Sequence, residues 1–132
     1  QSGFQIAVET QGTLYKPWLE ACDVVTVSPK PPSSGMDQDL ARLARFTGLP
    51  GANLKVVVFD ETDFAFARQV HRMYSEVPMY LQVGNDVGQD STETLLAKLD
   101  WLSTRTLEDP AMAHAVVLPQ LHVLLYGNTR GV

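Results

Sequence analysis

The sequence predicts an α/β fold, a parallel sheet assembled from βα units, and three observations predict it. Short apolar runs rich in β-branched residues alternate with stretches whose apolar residues recur at three- and four-residue steps. Several of those runs end directly in polar or Gly- and Pro-containing loops. No internal repeat or low-complexity segment offers another organisation, and strands separated by helices pair most simply in parallel.

The elements follow in order. Residues 4–8 (Phe-Gln-Ile-Ala-Val) read as a strand, with Glu9, Thr10, Gln11, Gly12 and Thr13 as its loop. Pro17 opens a brief helical connection carrying Trp18 and Leu19, since proline is tolerated in a first turn. Residues 24–27 (Val-Val-Thr-Val) form the second strand and deliver Ser28 into a loop rich in Pro, Ser and Gly. Pro29 fixes its own φ and pushes Ser28 toward extended geometry, so Ser28 and Lys30 should sit at a defined strand exit. Residues 37–46 place Leu40, Leu43, Ala44 and Phe46 at helical spacing with Asp37 as cap. Residues 54–59 form a nearly continuous apolar run, the pattern of a strand buried on both faces.

A helix over 62–74 follows, with Phe66, Ala67 and Val70 on one stripe and Asp60, Glu61 and Asp63 at its positive end. Residues 78–83 are a fourth strand, closed by Gly84, Asn85 and Asp86. Asp90 to Glu93 fit a capping box for a long helix through Leu95, Leu99, Leu102 and Thr106, ended by Pro110. Residues 115–118 are a fifth strand, with a short helix over 120–126 beyond.

The bulk numbers bound the function. At 132 residues and 45% hydrophobic the chain has a core but falls short of a complete α/β barrel, which takes roughly 200 to 250 residues. Residues 1–132 therefore read as one domain or a piece of one. A net charge of −5 without clustered Lys and Arg argues against nucleic acid. One cysteine excludes an intrachain disulfide, and the absence of a leader or long apolar span predicts a cytoplasmic protein with no membrane association.

Ligands of parallel sheets bind at the carboxyl ends of the strands. That rule brings Glu9 and Thr10, Ser28 to Lys30, and Gln82 to Asn85 to one rim, a polar small-molecule site. Each has a plainer reading: a polar loop start, a Ser-Pro turn with a solvated lysine, or a glutamine satisfied by backbone. His122, between Leu121 and Val123, suits the core better than catalysis. The Asp60, Glu61, Asp63 cluster is explained by helix-dipole complementarity without a metal, and Cys22 is a structural thiol.

Four stretches carry a resemblance. They are residues 8–13 (Val-Glu-Thr-Gln-Gly-Thr), 28–34 (Ser-Pro-Lys-Pro-Pro-Ser-Ser), 80–85 (Tyr-Leu-Gln-Val-Gly-Asn), and the ending from Val117 through His122 and Gly127-Asn128 to Arg130-Gly131-Val132. With these the chain resembles the 7-carboxy-7-deazaguanine synthases, radical S-adenosylmethionine enzymes of queuosine biosynthesis. The resemblance implies the C-terminal part of a partial, TIM-like (β/α) barrel. In the complete enzyme a 4Fe–4S cluster cleaves S-adenosylmethionine, and the radical so formed rearranges 6-carboxy-5,6,7,8-tetrahydropterin, a lyase reaction assisted by magnesium. It further implies that Glu9, Thr10, Ser28, Pro29, Lys30, Gln82, Val83, Gly84 and Asn85 line the cofactor, that His122 and Val132 stand on the pterin side, and that the protein is a homo-oligomer, a dimer. The family's Cys-x-x-x-Cys-x-x-Cys and Gly-Gly-Glu-Pro motifs do not occur here. The expectation is thus a C-terminal fragment, inactive alone, its N-terminal cluster-binding part absent. Two rivals are a stand-alone module binding a similar ligand, and a hydrolase or isomerase using Glu9 with His122.

Overall fold

The computed structural model describes residues 3–86, 91–120 and 125. Five strands, β1 (Ala7–Thr10), β2 (Val24–Val27), β3 (Ala52–Val58), β4 (Met79–Val83) and β5 (Val116–Leu118), form a sheet in sequential order, each parallel to its neighbours. Among the described residues the connections hold three α-helices, α1 (Ala44–Thr47), α2 (Glu61–Met73) and α3 (Thr92–Glu108). Short 3-10 turns occupy Pro17–Ala21, Pro32–Ser34, Leu40–Leu43 and Pro110–Met112.

Sequential parallel order dictates the layers. Each crossover steps sideways in the same direction, and such crossovers are right-handed in about 98% of cases, so the helices all fall on one face. Burial follows this rule: Val25, Val27, Leu54, Val56, Val58, Met79, Leu81 and Val83 are buried under Leu43, Phe46, Phe64, Ala67, Val70, Leu95, Leu102 and Met112. The opposite face carries Glu9, Thr26, Asn53, Lys55, Val57, Tyr80 and Gln82, half-buried or exposed. The expected two-sided burial of β3 is therefore corrected. Singly wound topology supplies one helical layer, and Lys55 and Val57 point away from it.

Several boundaries move for identifiable reasons. β1 begins at Ala7 because its partner β2 begins at Val24, and Glu9 and Thr10 are strand residues rather than loop. The helix expected over 37–46 divides into the 3-10 turn and α1. Asp39, not Asp37, is the cap, its carboxylate accepting from Ala41 N at 3.0 Å, while Gln38 is held by bonds of its own. Asp60 caps α2 by accepting from Asp63 N at 2.9 Å. Ser91 caps α3 where Asp90 was expected, and Asp90 lies outside the described residues. The helix expected over 120–126 also falls almost entirely outside them, as do His122 and Val132.

Gly12 illustrates how tightly the first turn packs. Its φ is +79°, a conformation glycine adopts at no steric cost, and a Cβ there would meet the side chains of Leu43 at 2.5 Å and Val27 at 2.9 Å.

Candidate functional site

The carboxyl ends of β1 to β4 share one side of the sheet, but they form a step rather than a level rim. Thr10, Val27, Leu54 and Met79 lie on one row, whereas β3 and β4 continue to the Val58–Val83 row. Those four further residues, at about 3.3 Å each, raise the Gln82 to Asn85 exit roughly 13 Å above the Ser28 exit.

The exits are braced to one another. Ser28 N donates to Thr10 O at 2.7 Å. Gln38 bridges the first two loops, its Oε1 accepting from Lys30 N and its Nε2 donating to Gln11 O, both at 2.8 Å. Pro29 and Pro31 are buried, so the rigid loop expected from sequence is also anchored by its rings. Ser33 N and Oγ donate to the Asp63 carboxylate at 3.0 and 2.6 Å, and Phe59 N donates to the same carboxylate at 2.9 Å. Gly84 N donates to Val58 O at 2.9 Å, and a Cβ on Gly84 would lie 2.5 Å from the Phe59 ring.

With the backbone so occupied, certain side chains stay available. Ser28 Oγ, Lys30 Nζ and the half-buried Gln82 amide have no hydrogen-bond partner among the described residues. Thr10 is less available, since its Oγ1 accepts from Gly12 N at 3.2 Å. Val83 and Gly84 are buried, Val83 beneath α3 beside Leu95 and Leu99. The Lys30 side chain lines a groove of about 510 Å³ against Leu40, Phe66, Gln69 and Met73, away from the open sheet face. The strand exits therefore share a side, yet Lys30 does not share a cavity with Glu9.

The open face holds residues that the sequence reading passed over. Lys55 Nζ lies 2.9 Å from Glu9 Oε1, and together with Thr26, Asn53, Tyr80 and Leu118 the pair lines a depression of about 280 Å³. This floor offers a cation, a carboxylate, an amide and a phenol above a hydrophobic layer. Its signal was present in the alternation of Asn53 and Lys55 with Leu54, Val56 and Val58, and of Tyr80 and Gln82 with Met79, Leu81 and Val83, the period of a half-buried strand.

On the helical side Asp109 joins α2 to the turn after α3. It accepts from Arg68 Nη1 at 2.8 Å and from Ala111 N at 3.0 Å, with Arg105 Nη1 at 3.8 Å. Burial alone would push its carboxyl up, but the Ala111 N–H and the two guanidinium groups outweigh that and hold it below the usual value.

No group of three or more His, Cys, Asp or Glu able to hold a metal ion occurs among the described residues. Cys22 is the chain's one cysteine, and its thiol donates weakly to Trp18 O at 3.8 Å. A 4Fe–4S cluster needs several thiolates, so these residues do not fit one. No described helix is long and apolar enough to cross a membrane.

A singly wound parallel sheet, with helices on one face and a polar floor on the other, defines a βα domain, and the side chains without a partner among the described residues make its strand exits the candidate site. Comparison with known proteins gives the particular relationship. The chain is 45% identical over 140 aligned positions to the 7-carboxy-7-deazaguanine synthase of Bacillus cereus and 41% identical over 144 to that of Bacillus subtilis. The similarity runs along the whole of this chain, which spans 59% of the length of each of these curated relatives. No family model matches it.

Proposed function

We propose that the chain forms one wall of a 7-carboxy-7-deazaguanine synthase of the radical S-adenosylmethionine type, with β1 to β5 as part of a barrel and the open face turned inward. The observation that supports this most strongly is the uncovered polar face itself. All-parallel sheets occur almost exclusively with both faces covered, so an all-parallel sheet with one bare, polar face is half of a structure. The relatives' additional length supports the same reading.

In this reading Ser28 Oγ and the Gln82 amide contact the ribose or amino-acid end of S-adenosylmethionine, while Lys30, whose side chain lies in the groove on the helical side, takes no part. Glu9 and Lys55 face the 6-carboxy-5,6,7,8-tetrahydropterin that the complete enzyme converts to 7-carboxy-7-deazaguanine. No step is assigned through the cluster or through magnesium, because the residues present do not fit either, and the chain alone is catalytically inactive.

Calorimetric titration with S-adenosylmethionine, together with anaerobic iron–sulfur reconstitution, tests this. Weak binding that Ser28→Ala with Gln82→Ala abolishes, and no iron–sulfur absorption, are expected. Stoichiometric cluster formation would overturn the reading. Micromolar binding without iron would favour a self-sufficient binding module instead.

A further inference from the structure

Asp63 has no exposed surface, and its carboxylate makes no bond within its own helix. A third-position acid in a capping box turns back to the N–H of the capping residue. Asp63 instead reaches one residue further, to Phe59 N, and across a 30-residue separation to both donors of Ser33. The cap itself is supplied by Asp60. A buried carboxylate with no cationic partner is costly unless several donors satisfy it, and Asp63 has three of them.

Those donors belong to different strand exits. Ser33 lies in the loop that leaves β2 with Ser28 and Lys30, and Phe59 is the first residue beyond β3. The Phe59 ring in turn covers Gly84, the first residue beyond β4, where an added Cβ would displace the ring. We propose that Asp63 is a positioning residue whose carboxylate fixes the exits of β2, β3 and, through the Phe59 ring, β4 relative to one another. Ser28 and Gln82 are thereby presented to one ligand at a set separation. This rests on the reading of those exits as S-adenosylmethionine contacts.

Proton–nitrogen and proton–carbon correlation spectra of the chain and of Asp63→Ala, Asp63→Asn and Ser33→Ala test the inference without any ligand. Gly84 has no hydrogen bond to Asp63, but the Hα that stands where a Cβ would be points at the Phe59 ring and carries its ring-current shift. Asp63→Ala should move the Ser33 and Phe59 amides and also bring the Gly84 protons toward ordinary glycine positions. Ser33→Ala should move only its own loop. A folded Asp63→Ala protein whose Gly84 signals are unchanged would overturn the proposal, since a merely stabilising carboxylate leaves the folded-state signals of a distant glycine in place. Should Asp63→Ala not fold, Asp63→Asn decides: it keeps one acceptor oxygen, so either the loop or the Phe59–Gly84 pair must shift, and movement of neither refutes the inference. Titration with S-adenosylmethionine separates the two readings. Absence of binding by the unaltered chain counts against the function proposed above, while the Gly84 signature still judges Asp63.

Discussion

Replacement of Gly84 by alanine probes the contact between the β3 and β4 exits. The ideal Cβ would stand 2.5 Å from Cγ and Cδ1 of Phe59 and 2.6 Å from Cδ2. Carbon atoms settle at about 3.5–4.0 Å, so the ring must retreat by roughly 1 Å. Forcing a methyl into a filled site costs about 1–3 kcal/mol. Phe59 is half-buried and borders a depression of about 300 Å³ with Asp60, Thr94, Ala97, Lys98 and Trp101, so it has room to swing and the cost falls in the lower half of that range. Backbone strain adds nothing, since Gly84 does not have a positive φ. Restricting the unfolded chain returns about 0.4–1 kcal/mol. The net loss expected for Gly84→Ala is therefore about 1 kcal/mol. In a Phe59→Ala background the obstructing ring is gone, and the same substitution should be neutral or stabilising, a coupling of about 1–2 kcal/mol. Urea unfolding of the four chains of this cycle measures it directly. Equal destabilisation by Gly84→Ala with and without the Phe59 ring would refute the reasoning.

Further outcomes follow from other contacts. Asp109→Ala removes a buried acceptor from Arg68 and from Ala111 N and should lower stability by about 2–4 kcal/mol in the same assay. His71 is held below the ordinary histidine value of 6.5, first by burial and then by the charge of His114. The unfolded chain therefore takes up this proton before the folded one, so stability is full above pH 6.5 and declines as the pH falls below it. His71→Gln should flatten that slope in unfolding curves recorded from pH 7.5 to 5, values bracketing the ordinary histidine range. Asp109 acts lower on the scale: its contribution is present above 3.8 and is lost as the pH falls through its depressed folded-state value. Sedimentation of the chain should show self-association, because among the described residues β1 pairs only with β2 and nothing covers its other edge; a monomer at all concentrations would contradict this.

Features that depend on neighbours along the chain were legible without the structure. The β2 strand at Val24–Val27, the punctuation by Pro17 and Pro110, and the polar strand exits at Ser28 and Gln82 all rest on local propensity, periodicity or turn chemistry. The similarity to the 7-carboxy-7-deazaguanine synthases was legible too, since the stretches that suggest it can be read without knowing what they meet in space. What tertiary structure alone decided depends on which residues meet across long separations. Read alone, Leu54-Lys55-Val56-Val57-Val58 passes for a strand buried on both faces; only the sequential sheet order, with one helical layer, turns Lys55 outward to Glu9. The acidic residues at the start of α2 were explained by the helix dipole, which holds for charge at any helix start and cannot single out Asp63. Ser33 and Phe59 single it out, donors brought to its carboxylate by the register of β2 against β3. That register also set the height of each exit, and no local pattern encodes the offset between two strands, because the hydrogen bonds that fix it join residues far apart in the chain.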